Sequence, residues 1–123
     1  MISIIAGKYK GRKLHDLKNL HVRPTQAKVR KSVFQILEPF DGLEVLDLYA
    51  GVGTLGIEAI SRGASRVVFV EKNRWVFKVL QKNLVYVTQS KRTRQKGFIR
   101  LLESQKSFSI SYDSYVCRHK LYC

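Results

Sequence analysis

The sequence predicts an α/β fold: a partial doubly wound, Rossmann-like parallel sheet with a basic β-hairpin at its N-terminus. Three observations predict it. Apolar runs of strand length at residues 43–48 and 66–70 are each followed by a segment of helical periodicity. That alternation requires a parallel sheet with right-handed crossovers. The first run ends in Asp47 and opens through Tyr49-Ala50-Gly51-Val52-Gly53-Thr54-Leu55-Gly56, a glycine-rich turn leading into a helix. The opening residues join a short apolar run to a cationic loop bent at glycines.

Taken in order, Ile2, Ser3, Ile4, Ile5 and Ala6 form a short strand, and Gly7 begins a turn. Lys8, Tyr9, Lys10, Arg12 and Lys13 follow, with Gly11 bending the backbone. One ring among four cations can grip phosphates and stack a base, although an ordinary exposed hairpin would read the same way. Pro24 favours an extended approach, Thr25 can cap a helix running to Glu38, and Pro39 ends it. Val29, Val33, Ile36 and Leu37 fall at helical spacing and predict the core-facing stripe, with Lys28, Arg30 and Lys31 turned away from it. Asp41-Gly42 turns the chain into the first parallel strand.

The helix after the glycines runs from Thr54 to Arg62 and stops at Gly63 in a left-handed cap. After the strand at 66–70, Asn73 caps a helix to about Leu84, with Val76, Leu80 and Leu84 on one apolar line. Trp75 and Val79 lie beside that line. Trp75 and Phe77 could stack on an adenine, but packing is the better reading of both. Residues 98–102 read as a third strand. The rest of the segment after Leu84 lacks periodicity, so the chain divides into an ordered unit at 1–84 and a divergent, poorly ordered basic tail at 85–123.

Charge separates these regions. The formal net charge is +14 over 123 residues, and its placement matters more than its total. Residues 1–40 carry nine Lys and Arg against two acids, residues 41–84 six against five, and residues 85–123 eight against two. A balanced centre between basic flanks implies a polyanionic partner, most simply nucleic acid. No apolar run reaches membrane-spanning length and no signal-peptide core is present, which predicts a cytoplasmic protein. Cys117 and Cys123 are the only cysteines. With His119 they offer three ligands where a closed zinc site wants four, so no metal site is predicted.

The ligand of the glycine turn follows from charge. Gly51, Gly53 and Gly56 fit either a dinucleotide or another nucleoside cofactor. A pyrophosphate at this turn would be repelled by Asp47, four residues before the first glycine. S-adenosylmethionine carries an ammonium and a sulfonium, which a carboxylate attracts. Glu71 ends the next strand, twenty residues past Gly51, where a carboxylate can accept both ribose hydroxyls. Read more plainly, Asp47 and Glu71 cap the helices that follow them. A nicotinamide-dependent oxidoreductase rests on the glycine spacing alone, and Asp47 argues against it.

The first 84 positions closely resemble the bacterial 16S ribosomal RNA guanine-N2 methyltransferase family. The resemblance is carried by Ile4-Ile5-Ala6-Gly7-Lys8-Tyr9-Lys10-Gly11-Arg12, by Val22-Arg23-Pro24-Thr25 with Val29-Arg30 and Phe34, and by residues 46–59 with Arg62-Gly63-Ala64 and Val68-Phe69-Val70-Glu71-Lys72. It implies a methyltransferase fold that binds S-adenosylmethionine, with Asp47, Gly51, Gly53 and Gly56 at the methionine end and Glu71 on the ribose. It further implies RNA contacts from Lys8, Tyr9, Lys10, Arg12, Lys13, Arg23, Lys28, Arg30 and Lys31, and methyl transfer to a guanine in 16S rRNA or a small-subunit assembly particle.

A guanine amine is a poor nucleophile, and the family orients it with an Asn/Asp-Pro-Pro-Tyr/Phe loop. Pro24 and Pro39 are the only prolines here, both ahead of the glycine turn, so that loop is absent. The catalytic residues are therefore unassigned. The chain reads as truncated or frame-shifted after about residue 84, and is expected not to transfer methyl groups. A non-enzymatic basic RNA-binding module is the alternative.

Overall fold

The computed structural model describes residues 2–17, 26–88, 98–103 and 120–122. A short antiparallel hairpin pairs β1 (Ile2–Ser3) with β2 (Lys13–Leu14). Then follow α1 (Ala27–Leu37), β3 (Glu44–Asp47), α2 (Thr54–Ser61), β4 (Arg66–Glu71), α3 (Arg74–Thr88), β5 (Phe98–Glu103) and β6 (Lys120–Tyr122). The last four strands form one parallel sheet in the order β5-β4-β3-β6.

The order places the site. From β3 the chain winds outward through β4 to β5, whereas β6 lies on the other side of β3. The winding direction therefore reverses at β3, and in open α/β sheets ligands sit beyond the strand carboxyl ends at such a switch point. The expected strands at 43–48, 66–70 and 98–102 are all present. The fourth, β6, lies in the segment expected to be poorly ordered. The expected boundary at residue 84 falls inside α3, which continues to Thr88.

Apolar residues of the two crossover helices form the core with the sheet. Val45, Val67 and Phe69 from the strands meet Ile57, Ala59, Leu80 and Val87 from the helices, all nearly inaccessible. Ile57 of α2 and Leu80 of α3 converge over Gly53, so both helices cover one face. Gly56 packs α2 directly on β4, because a Cβ there would strike the Phe69 ring. Gly63 follows α2 with φ +106°, the expected left-handed stop.

Helix α1 overturns the expected stripe. Val29, Val33 and Ile36 are exposed, Ile36 to 81%, while Arg30 and Phe34 are buried. Phe34 packs on Phe40 with ring centroids 4.9 Å apart, and the Arg62 guanidinium lies 4.9 Å from the Phe34 ring. The Arg30 side chain donates to the Ser3 carbonyl at 3.0 Å. Its burial lowers its pKa, and nearby Glu58 opposes that shift. Of the four apolar side chains that spacing places on the core face, only Leu37 packs against the core, and α1 otherwise meets the protein through one ring and one guanidinium. Gln26 occupies the N-cap position without a side-chain cap, and Thr25 lies outside the described residues.

The hairpin is fastened to α2 by polar contacts. Glu58, 1% exposed, accepts the Ile5 N–H at 2.9 Å and the Ala6 N–H at 3.0 Å. It also accepts from the Arg62 Nε at 3.0 Å. The Ser61 hydroxyl donates to the Ala6 carbonyl and accepts the Tyr9 N–H. A Cβ on Gly7, at φ +79°, would collide with the Ser61 carbonyl, so only glycine permits this approach. Among the described residues no helix is long and apolar enough to cross a membrane.

Candidate cofactor site

Asp47 ends β3 at the switch point and is 1% exposed. Its Oδ2 accepts the Gly56 N–H at 3.1 Å, in the first turn of α2. Its Oδ1 is buried without a hydrogen-bond partner among the described residues. Burial pushes the carboxyl up to about 6; the Gly56 and Tyr49 backbone N–H groups oppose that, and Glu71 adds to it. A buried anionic oxygen with no donor is costly unless something pairs with it.

The glycine turn is held from below and open above. The Ala50 N–H donates to the Val70 carbonyl at 3.1 Å, and the Gly51 N–H to Glu71 Oε2 at 3.0 Å. Gly51 has φ +55° and Gly53 φ +92°, conformations that favour glycine. A Cβ at Gly51 would meet nothing within 4 Å, so the backbone there faces open space. Gly53 is the N-cap residue of α2, and the first helical N–H groups lie immediately beyond it.

Glu71 ends β4, with Oε1 accepting the Asn73 N–H at 2.8 Å. Asn73 caps α3 as expected, its Oδ1 accepting from Trp75 at 3.0 Å and Val76 at 3.3 Å. Helix capping and ligand binding are thus not exclusive for these acids. Each oxygen of Glu71 accepts one backbone N–H and retains acceptor capacity, and Asp47 leaves one oxygen unused. The structure brings all five expected cofactor residues, Asp47, Gly51, Gly53, Gly56 and Glu71, to the carboxyl ends of β3 and β4.

Asn83 is the residue that sequence reasoning missed. It is fully buried in α3, and its Nδ2 donates to the Val52 carbonyl at 2.9 Å and the His15 carbonyl at 3.0 Å. Its Oδ1 accepts the His15 N–H at 2.8 Å. One amide thus joins the glycine turn to the end of the hairpin. An Asn next to the expected helix end, one residue before an apolar line position, is the only signal of it.

The expected RNA residues divide into two groups. Lys8, Lys10, Lys13, Lys28 and Lys31 are exposed. Tyr9 is 4% exposed and belongs to the core, so its ring is not offered for stacking. Arg12 covers that ring at 5.1 Å, and its Nη1 donates to the Val87 carbonyl at 3.0 Å. With Arg30 buried too, Tyr9 and Arg30 are structural ties, whereas Arg12 stays half-exposed while bonded to α3. Arg23 lies outside the described residues, as do Cys117, His119 and Cys123. Among the described residues no group of three or more His, Cys, Asp or Glu could hold a metal. Trp75 is 71% exposed and Phe77 half-buried, so packing does not account for Trp75.

Comparison with known proteins places this geometry in a family. YlbH of Bacillus subtilis, a candidate rRNA methyltransferase, is 43% identical over 82 residues, which are 66% of this chain and 45% of that protein. The ribosomal RNA small subunit methyltransferase D of Haemophilus influenzae is 44% identical over 84 residues, 68% of this chain and 44% of that one. The chain therefore spans under half the length of these curated relatives. Among solved structures, the candidate methyltransferase yhhF of Escherichia coli superposes with a TM-score of 0.69 at 36% identity, covering 84% of this chain and 52% of its own. The fold is thus that of the Rossmann-like methyltransferases, with a partial sheet. Residues 2–114 match the family model described as "Conserved hypothetical protein 95", and the chain belongs to that family.

Proposed function

We propose that this chain forms the methyl-donor-binding part of an rRNA methyltransferase. The observation that carries the reading is Asp47, a buried carboxylate with an unpaired oxygen at the switch point, beside an open glycine turn. Cationic S-adenosylmethionine suits such an acid, whereas a pyrophosphate does not. Asp47 and the Gly51–Gly53 backbone would hold the methionine end, Gly56 would keep α2 close to the sheet, and Glu71 would accept the ribose hydroxyls. When bound, the donor supplies an electrophilic methyl on its sulfonium. The chain's own part is to bind and to orient the donor, whose positive charge would in turn favour the ionised form of Asp47.

The relatives named for small-subunit rRNA methylation support rRNA as the substrate class. We extend this to a guanine N2 amine in 16S rRNA, met in the cytoplasm as RNA or as an assembly particle, with the exposed hairpin and α1 lysines on the phosphates. Presenting that amine needs acceptors that weaken its conjugation with the ring. The 123 residues contain no Pro-Pro pair to build the loop that would do so. The chain is accordingly expected to bind donor without transferring methyl. The test is a donor titration alongside an assay with radiolabelled donor and small-subunit RNA. Saturable binding without incorporation is the expected result. Incorporation would refute the defect, and failure to bind donor while nucleic acid still binds would leave a non-enzymatic RNA-binding module.

A further inference from the structure

We propose that the outer face of α3 is a single-stranded RNA surface, separate from the hairpin and α1 lysines. Arg74, Lys78 and Lys82 are exposed at four-residue intervals, so they form one row with steps of about 6 Å along the helix. No Asp or Glu occurs between Glu71 and Glu103, so no acid on this helix faces Lys78 and Lys82. Trp75 lies beside it with its ring exposed and the Lys78 Nζ 4.9 Å from the ring centroid. Among the described residues, Trp75, Lys78 and Lys82 line a groove of about 780 Å³ together with Leu17, Val79 and Val85.

A flat aromatic flanked by cations in an open groove suits a strand whose bases are free to stack, with phosphates against the row. An acidic protein would satisfy the cations, but it would leave the ring without its natural partner. The face also continues the hairpin. Arg12 bonds to the Val87 carbonyl, and the His15 ring meets the exposed Tyr86 edge-on at 6.4 Å. At its other end, α3 begins three residues beyond Glu71. A strand gripped by the hairpin can therefore follow α3 toward the proposed donor site. The inference shares with the functional reading only the class of partner.

Trp75 is the only tryptophan, so fluorescence excited selectively in the indole, beyond tyrosine absorption, reports on this groove alone. An unlabelled twelve-nucleotide oligoribonucleotide should quench it saturably, with anisotropy of a labelled copy giving the affinity. K78E/K82E should weaken binding at least tenfold at 0.1 M salt. Replacing Lys78 and Lys82 by Ala should lower the salt slope by about 1.4, from two contacts at about 0.7 each. Trp75→Ala should weaken binding about fivefold, the low end of base stacking, with the slope unchanged. Donor affinity and the thermal transition of K78E/K82E should match the parent, which separates failure here from failure of the donor site. RNA that binds without changing Trp75 emission would overturn the proposal. So would K78E/K82E that binds like the parent, or a Trp75 already shielded from iodide before RNA is added, since another part of the chain would then cover the face.

Discussion

Helices α1 and α3 carry the same kind of apolar periodicity and use it in opposite ways. In α3, Val76, Leu80, Leu84 and Val87 are all buried against the core. In α1, Val29, Val33 and Ile36 face outward, and the helix holds on through Arg30 and Phe34. Periodicity thus identifies a face but not its partner. For α3 the partner is adjacent in sequence, because a crossover helix between parallel strands must lie on the sheet. For α1 no such rule applies, and its apolar stripe is left outside except at Leu37.

The largest expected effect tests this contrast directly. Leu80→Ala should destabilise the protein by roughly 2–5 kcal/mol, through lost burial plus the cavity left behind. Ile36→Ala should stay within about 0.5 kcal/mol, as surface changes do. Urea unfolding of both variants measures the difference. Equal losses would mean that α1's stripe is covered.

A finer comparison uses the buried polar group of each helix. Arg30→Ala and Asn83→Ala should each cost about 1–3 kcal/mol, because each strands a buried hydrogen-bonding partner. Their consequences should differ at the site. Asn83 grips the Val52 carbonyl of the glycine turn, whereas Arg30 grips the Ser3 carbonyl of the hairpin. Donor affinity should therefore drop in Asn83→Ala at temperatures where both variants are folded, and hold in Arg30→Ala. Calorimetric titration distinguishes them.

What could be read in advance follows the same physics. The βαβ elements, the glycine turn, the Asn73 cap and the Gly63 stop were legible, because local residue types dictate them. So were Asp47 and Glu71, each placed at a strand end by its own strand. Tyr9 and Arg30 are buried against expectation, because basic and aromatic residues look alike whether they meet RNA or tie one element to another. Glu58 and Asn83 form contacts with residues 52–53 and 68 positions away. No local pattern encodes such pairings. Strand β6 was missed for a related reason: three residues carry no periodicity, and only pairing with Glu44, Val45 and Leu46 makes them a strand.

The pH dependence of stability is the effect most informative about function. Asp47 titrates from 3.8 unfolded to about 6 folded, so the native state binds more protons between those values. On this group's account stability falls as pH rises through that window, by about 2–3 kcal/mol, and the cost persists above it. Asp47→Asn should remove that dependence and leave the protein at least as stable at pH 7. A site that retains such a penalty should use the charge.

The central measurement is calorimetric titration of S-adenosylmethionine onto the parent and Asp47→Asn from pH 5 to 8. The parent's affinity should weaken at least tenfold as pH falls through about 6, and the variant's should be weak and flat. Equal, pH-independent affinities would contradict the assignment of Asp47 as the group that selects a cationic methyl donor.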